Sequence, residues 1–181
     1  IFVSGLIIVT FLNILSYKGV ELSDQYFYSK YSNEIAEGNF EMGSSVFQNR
    51  FSVLIPNAFF INLFGFGYYT VTIWSLICYF LLVISIWLLL KKYGKQIALI
   101  ASLIVALTPL MLQQAVDILP DIIMVSFSSM AVLLHFSEGK RILKGILAAI
   151  VLFISFWAKE TVIYIFPWFA LMFISDLSKK D

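Results

Sequence analysis

From Phe51 to Leu90 the chain carries no charged residue. That run is too long for one membrane crossing, which needs about 20 residues. Asn57, Asn62, Gly65 and Gly67 interrupt it. It reads as an apolar segment over Phe51–Phe64, lying at or entering the interface, followed by a span near 68–90. Composition supports a membrane environment. Hydrophobic residues make up 61% of the 181 positions and charged residues 13%, with a mean hydropathy of +0.93. Ordinary soluble domains are about 45–50% apolar and about 25% charged. A domain of this size cannot hide that much apolar surface in its own core. The expected fold class is an all-α integral membrane protein.

Charges punctuate the rest of the chain. They predict about six transmembrane helices, near 1–17, 68–90, 96–116, 122–137, 145–158 and 161–175, with an outer loop over 18–50. Alternate connections carry Lys91, Lys92 and Lys95, then Lys140, Arg141 and Lys144, then Lys179 and Lys180. The excess of Lys and Arg places that side in the cytoplasm. Asp24, Arg50, Asp117, Asp121, Lys159 and Glu160 then share the extracytoplasmic face of a multi-pass cell-membrane protein. Residue 1 is Ile, inside an apolar stretch. The expectation is a piece of a longer chain.

Several function classes are excluded. A net charge of +1 creates no global field to attract nucleic acid. One cysteine, Cys78, and one histidine, His135, allow neither a disulfide framework nor a Cys/His zinc site. No Walker loop, GxGxxG, GxSxG or HExxH is present. ATP-driven transport, nicotinamide chemistry and serine or zinc hydrolysis are therefore not signalled.

The polar residues that remain fall in three places. In the outer loop, Ser23 suits a helix N-cap with Asp24 in the first turn. Phe27, Tyr31 and Ile35 recur every four residues and Gly38 suits a stop. An amphipathic interfacial helix is expected there. Asp24 is either a helix-start carboxylate or a functional acid. Arg50 closes the loop, as an interfacial snorkelling residue or as a two-pronged clamp on a phosphate.

In the second place, Asp117-Ile-Leu-Pro120-Asp121, Pro120 fits the first position of a helix and Asp121 its first turn. The uncharged stretch from there to Glu138 rises roughly 24 Å as a helix, against a hydrocarbon core of about 30 Å. Asp121 is thus expected at or below the headgroups, either wet through local thinning or functional. In the third, Lys159 and Glu160 separate two short apolar runs, as a mutual ion pair at a turn or as part of a site.

Taken in order, these pieces resemble the N-terminal membrane half of GT-C polyprenyl-phosphate-dependent glycosyltransferases. The nearest group is that of the protein O-mannosyltransferases and lipid A aminoarabinose transferases. The matching elements are Ser23-Asp24-Gln25-Tyr26-Phe27-Tyr28, Glu37-Gly38, Asn49-Arg50-Phe51, Leu63-Phe64-Gly65, Thr108-Pro109-Leu110, Leu119-Pro120-Asp121 and Trp157-Ala158-Lys159-Glu160-Thr161. The resemblance covers nearly the whole chain. There are departures. The family's basic residue is often followed by two prolines, where Phe51-Ser52 stand here, and its first-loop acid is often paired with a second, where Gln25 stands.

The resemblance implies an inverting hexosyl- or pentosyltransferase of the cell envelope, of the kind that glycosylates proteins. It would move a sugar from a polyprenyl-phosphate donor to a protein, lipid or glycan acceptor. It casts Asp24 as general base and Arg50, then Lys159, as holders of the donor phosphate. Asp121, Asp117 and Glu160 would orient the acceptor or a divalent cation such as Mg²⁺ or Mn²⁺. The competing reading is a transporter or lipid-linked-oligosaccharide flippase, which places charges along its spans.

Overall fold

A computed structural model describes residues 23–67, 69–138 and 140–178, together with Ile7, Ile8, Phe11 and Leu15. Those four positions apart, the expected first span near 1–17 lies outside the described residues, as do Lys179 and Lys180. Among the described residues the fold is helical, with no strand. The helices are α1 (Asp24–Glu37), α2 (Phe51–Phe64), α3 (Ile73–Leu90), α4 (Lys95–Leu107), α5 (Pro109–Val116), α6 (Pro120–Phe136), α7 (Arg141–Ala158) and α8 (Phe166–Ser178). Tight 3₁₀ turns extend α3 at both ends and join α7 to α8 over Glu160–Ile165.

With its flanking turns α3 runs Thr70–Tyr93 and is the one described helix long and apolar enough to cross a membrane. A second crossing is made if α4 and α5 count as one span, but they meet at a 62° bend. The other apolar stretches, Phe51–Phe64, Pro120–Phe136, Ile142–Ala158 and Glu160–Met172, have 10–17 residues. The bend falls inside the stretch expected as a single span near 96–116. Its cause is Pro109, which lacks an N–H and pushes Thr108 out of the helical region, to φ −63 and ψ 124. The carbonyls freed by the break find other donors. The Tyr79 hydroxyl of α3 donates to the Ala106 carbonyl at 2.8 Å, and the Thr108 hydroxyl donates to that of Ile104 at 2.6 Å.

Pro56 has the same effect inside α2. Without its N–H the Ser52 carbonyl has no helical partner, and the Trp74 indole N–H at the start of α3 donates to it at 2.9 Å. The Ser52 hydroxyl reaches the Ile154 carbonyl of α7 at 2.6 Å. One end of α2 is thereby tied to both neighbours. α6 and α7 approach through small residues, with Ala131, Ala148, Ser128 and Ser155 buried. The Ser128 and Ser155 hydroxyls lie 2.9 Å apart, and Ser155 also donates to the Met124 carbonyl at 2.8 Å. The core runs through Tyr79, Leu82 and Val83 of α3 and Ile122, Ile123 and Phe127 of α6.

α1 starts at Ser23 and ends at Gly38 as its sequence suggests. Gly38 adopts φ 74, a left-handed stop, while the Ser23 hydroxyl makes no capping bond. The expected apolar stripe does not form the buried face. Gln25, Tyr28, Ser29 and Ser32 are buried instead. Ser29 can be buried at little cost because its hydroxyl donates to the Gln25 carbonyl in the same helix, at 2.8 Å. Residues 39–50 fold back over the stripe. Phe47 stacks on Phe27 with ring centres 4.9 Å apart, and Phe40 meets Tyr31 edge-on at 6.3 Å.

Candidate functional site

Arg50 is the hinge of the polar end. It occupies the N-cap position of α2, with φ −90 and ψ 62, where the loop from α1 enters the bundle. One guanidinium N–H donates to the Tyr28 hydroxyl of α1. The other terminal nitrogen lies 3.7 Å from the Glu160 carboxylate, just beyond α7. Arg50 therefore links three parts of the chain that are far apart in sequence. Its Nε–H is buried and has no acceptor among the described residues, so donor capacity remains.

Glu160 is placed by its neighbour. Lys159 Nζ lies 2.6 Å from the Asp121 carboxylate, both side chains being about a third exposed. Pro120 opens α6 and sets Asp121 in its first turn. The pair joins the end of α7 to the start of α6. Lys159 and Glu160, adjacent in sequence, thus turn to different partners.

Asp24 lies one turn before Tyr28 on α1 and is exposed. Among the described residues its carboxylate has no hydrogen bond or ion pair. It is close enough to Tyr28 to disfavour the phenolate, as is Asp121. Burial is the larger cause. Together they push the Tyr28 phenol up to about 12, against the pull of Arg50. Because the folded state holds this proton more tightly than the unfolded chain, the phenol costs nothing below about pH 10. Stability falls as pH rises from about 10 to about 12. An ultraviolet titration should accordingly lose one tyrosinate step at the high-pH end when Tyr28→Phe is compared with wild type. A lost step near pH 10 would contradict the assignment.

Two concave spaces meet at this end. A cleft of about 350 Å³ is lined by Val46, Asn49, Arg50, Phe156, Trp157 and Glu160. An apolar groove of about 350 Å³ includes Phe51, Ile55, Pro56, Trp74, Phe153 and Trp157. Trp157 belongs to both, and its ring lies 5.0 Å from that of Phe51. A cleft that holds a cation and an apolar groove thus share one wall, the Trp157 side chain.

The expected residues are brought together unevenly. Arg50 and Glu160 line the cleft, and the Lys159–Asp121 pair stands beside Glu160. Asp24 is outside the cleft lining and near Tyr28, which Arg50 contacts. Asp117 is buried between α5 and α6, outside the cleft lining. Among the described residues no three His, Cys, Asp or Glu side chains gather at a common point, and Asp121 is engaged by Lys159. Tyr28, Asn49 and Trp157 stand in the motifs that carry the resemblance, but nothing in the sequence gave them a role of their own. The spacing of Tyr28 from Asp24, one helical turn, was the available signal.

The chain matches the dolichyl-phosphate-mannose-protein mannosyltransferase family over residues 56–180. Asp121, Lys159, Glu160 and Trp157 fall within the matched segment, and Asp24, Tyr28 and Arg50 precede it. No curated protein and no solved structure matches significantly.

Proposed function

Because the chain belongs to the dolichyl-phosphate-mannose-protein mannosyltransferase family, we propose that it forms part of a membrane glycosyltransferase using a polyprenyl-phosphate sugar donor. The transfer takes place on the extracytoplasmic side, and the bundle completes six crossings with the segment near 1–17. The observation that carries the donor class is the junction at Trp157. A lipid phosphate needs a cation beside an apolar surface, and Trp157 lines both the cleft that holds Arg50 and the neighbouring apolar groove.

In this reading the donor phosphate lies against Arg50 and Asn49, and its isoprenoid tail runs past Phe51, Ile55 and Phe153. The acceptor hydroxyl attacks the anomeric carbon. The bond from that carbon to the phosphate oxygen breaks, and the new bond from carbon to acceptor oxygen forms with inversion. The acceptor proton goes to the Asp24 carboxylate. The polyprenyl phosphate leaves with an additional negative charge, which Arg50 stabilises. Tyr28 holds the guanidinium from the α1 side and Glu160 from the α7 side. The Lys159–Asp121 pair fixes Glu160 in turn, with Lys159 the second cation near the phosphate.

The tail contact has its own test. Trp157→Ala in the full-length protein should raise KM about tenfold or more for a long-chain polyprenyl-phosphate sugar, a scale set by one buried aromatic contact. It should leave KM for a water-soluble short-chain analogue nearly unchanged. An equal rise for both donors would remove the groove from the donor site.

A further inference from the structure

A second basic hollow lies at the other end of the bundle. α3 begins at the site, where Trp74 meets Ser52, and α6 begins there at Asp121. Both helices end roughly 25 Å away. Between their far ends is a hollow of about 890 Å³, more than twice the size of the cleft at Arg50. Lys91, Lys92 and Lys95 rim it, and Trp87, Leu88 and Leu133 are among its apolar walls.

The three lysines are exposed. Among the described residues none of them has a carboxylate within ion-pair distance. Two are instead set against aromatic rings. Lys91 Nζ lies 5.5 Å from the Trp87 ring centre, and Lys92 Nζ lies 4.8 Å from that of Phe136 and 5.0 Å from that of Tyr93. Rings hold an ammonium in position without neutralising it. The neighbouring lysine is spoken for, since Lys144 Nζ donates to the Ser137 carbonyl at 2.5 Å. One acid, Glu138, lines the hollow against three cations.

We propose that this hollow binds an anionic glycerophospholipid, with its phosphate among Lys91, Lys92 and Lys95 and its acyl chains along the Leu88 and Leu133 walls. Uncompensated cations call for an anion. Apolar walls of this extent favour a lipid over a free phosphate ion. The site has no residue in common with the donor cleft and groove, so it stands whether or not the transferase reading does.

The test is native mass spectrometry of the full-length protein in detergent. The probes are phosphatidylglycerol and phosphatidylcholine, each supplied separately, and inorganic phosphate added as a competitor to the phosphatidylglycerol sample. Wild type should retain phosphatidylglycerol in preference to phosphatidylcholine. Each lysine changed to Ala should reduce that preference about fivefold, and the triple change about a hundredfold. The triple change to Arg should keep it, which separates loss of charge from loss of folding. Lys140→Ala, an exposed cation outside the hollow, should leave it intact. Equal retention of the two lipids by wild type would overturn the proposal. So would a preference that survives in the triple Ala variant, or one that falls as far in Lys140→Ala. Displacement of phosphatidylglycerol by millimolar inorganic phosphate would assign the site to a free anion instead.

Discussion

Asp24→Asn should lower kcat by about 10²–10⁴-fold, the usual contribution of a positioned general base. The change preserves shape and removes only the ability to take a proton. Asp24 is exposed in the first turn of α1. It has no hydrogen bond or ion pair among the described residues, so its replacement breaks no network. KM for the donor should stay within about twofold, because the carboxylate acts on the acceptor and not on the phosphate. The thermal midpoint should also hold, with a small loss from the helix dipole worth about 0.3–1 kcal/mol. Steady-state kinetics with the full-length protein check both parts. A variant as active as wild type would remove Asp24 from catalysis.

Arg50→Ala should lower kcat by a similar factor and, unlike Asp24→Asn, should also raise the donor KM. Removing one preorganised donor to a developing anion costs about 10²–10³ in kcat. The donor phosphate is already charged before transfer, so KM should rise as well. Arg50→Lys should recover little, because a lysine cannot span both the Tyr28 hydroxyl and the Glu160 carboxylate as the planar guanidinium does. Some of the loss in the Ala variant is structural, since Tyr28 is fully buried and loses its partner. Measuring the thermal midpoint of Tyr28→Phe separates the two. That variant should share any loss of stability while retaining most of the donor affinity. If Arg50→Ala leaves donor KM unchanged, the phosphate is held elsewhere.

How much of this was legible beforehand depends on the range of the interactions. Local signals read well. Phe51–Phe64 was bounded by its apolar run, Gly38 by its position after the α1 pattern, and Pro120 by its fit to a helix start. The α4–α5 bend was written in Thr108-Pro109, but hydropathy averaged over a window treats the two helices as one. The apolar stripe of α1 was legible, but not the face that packs on the bundle: Gln25, Tyr28, Ser29 and Ser32 are buried there, while Phe27 stays exposed beside Phe47. The shared end of Arg50, Glu160, Lys159 and Asp121 followed from topology. Which cation takes which acid did not. Lys159 and Glu160 are adjacent and suggest each other, yet they pair with Asp121 and Arg50. Only the crossing of α6, α7 and the start of α2 decides that.

The most direct test is transfer itself. The full-length protein would be reconstituted in liposomes with polyprenyl-phosphate mannose labelled in the sugar. The expected result is loss of label from the lipid into an acceptor or, slowly, into water. It should fall at least about a hundredfold in Asp24→Asn, which should melt as wild type does, and in Arg50→Ala beyond what its loss of stability explains. If no polyprenyl-phosphate sugar turns over, while labelled lipid instead moves between the two leaflets, the chain is a lipid carrier and not a transferase.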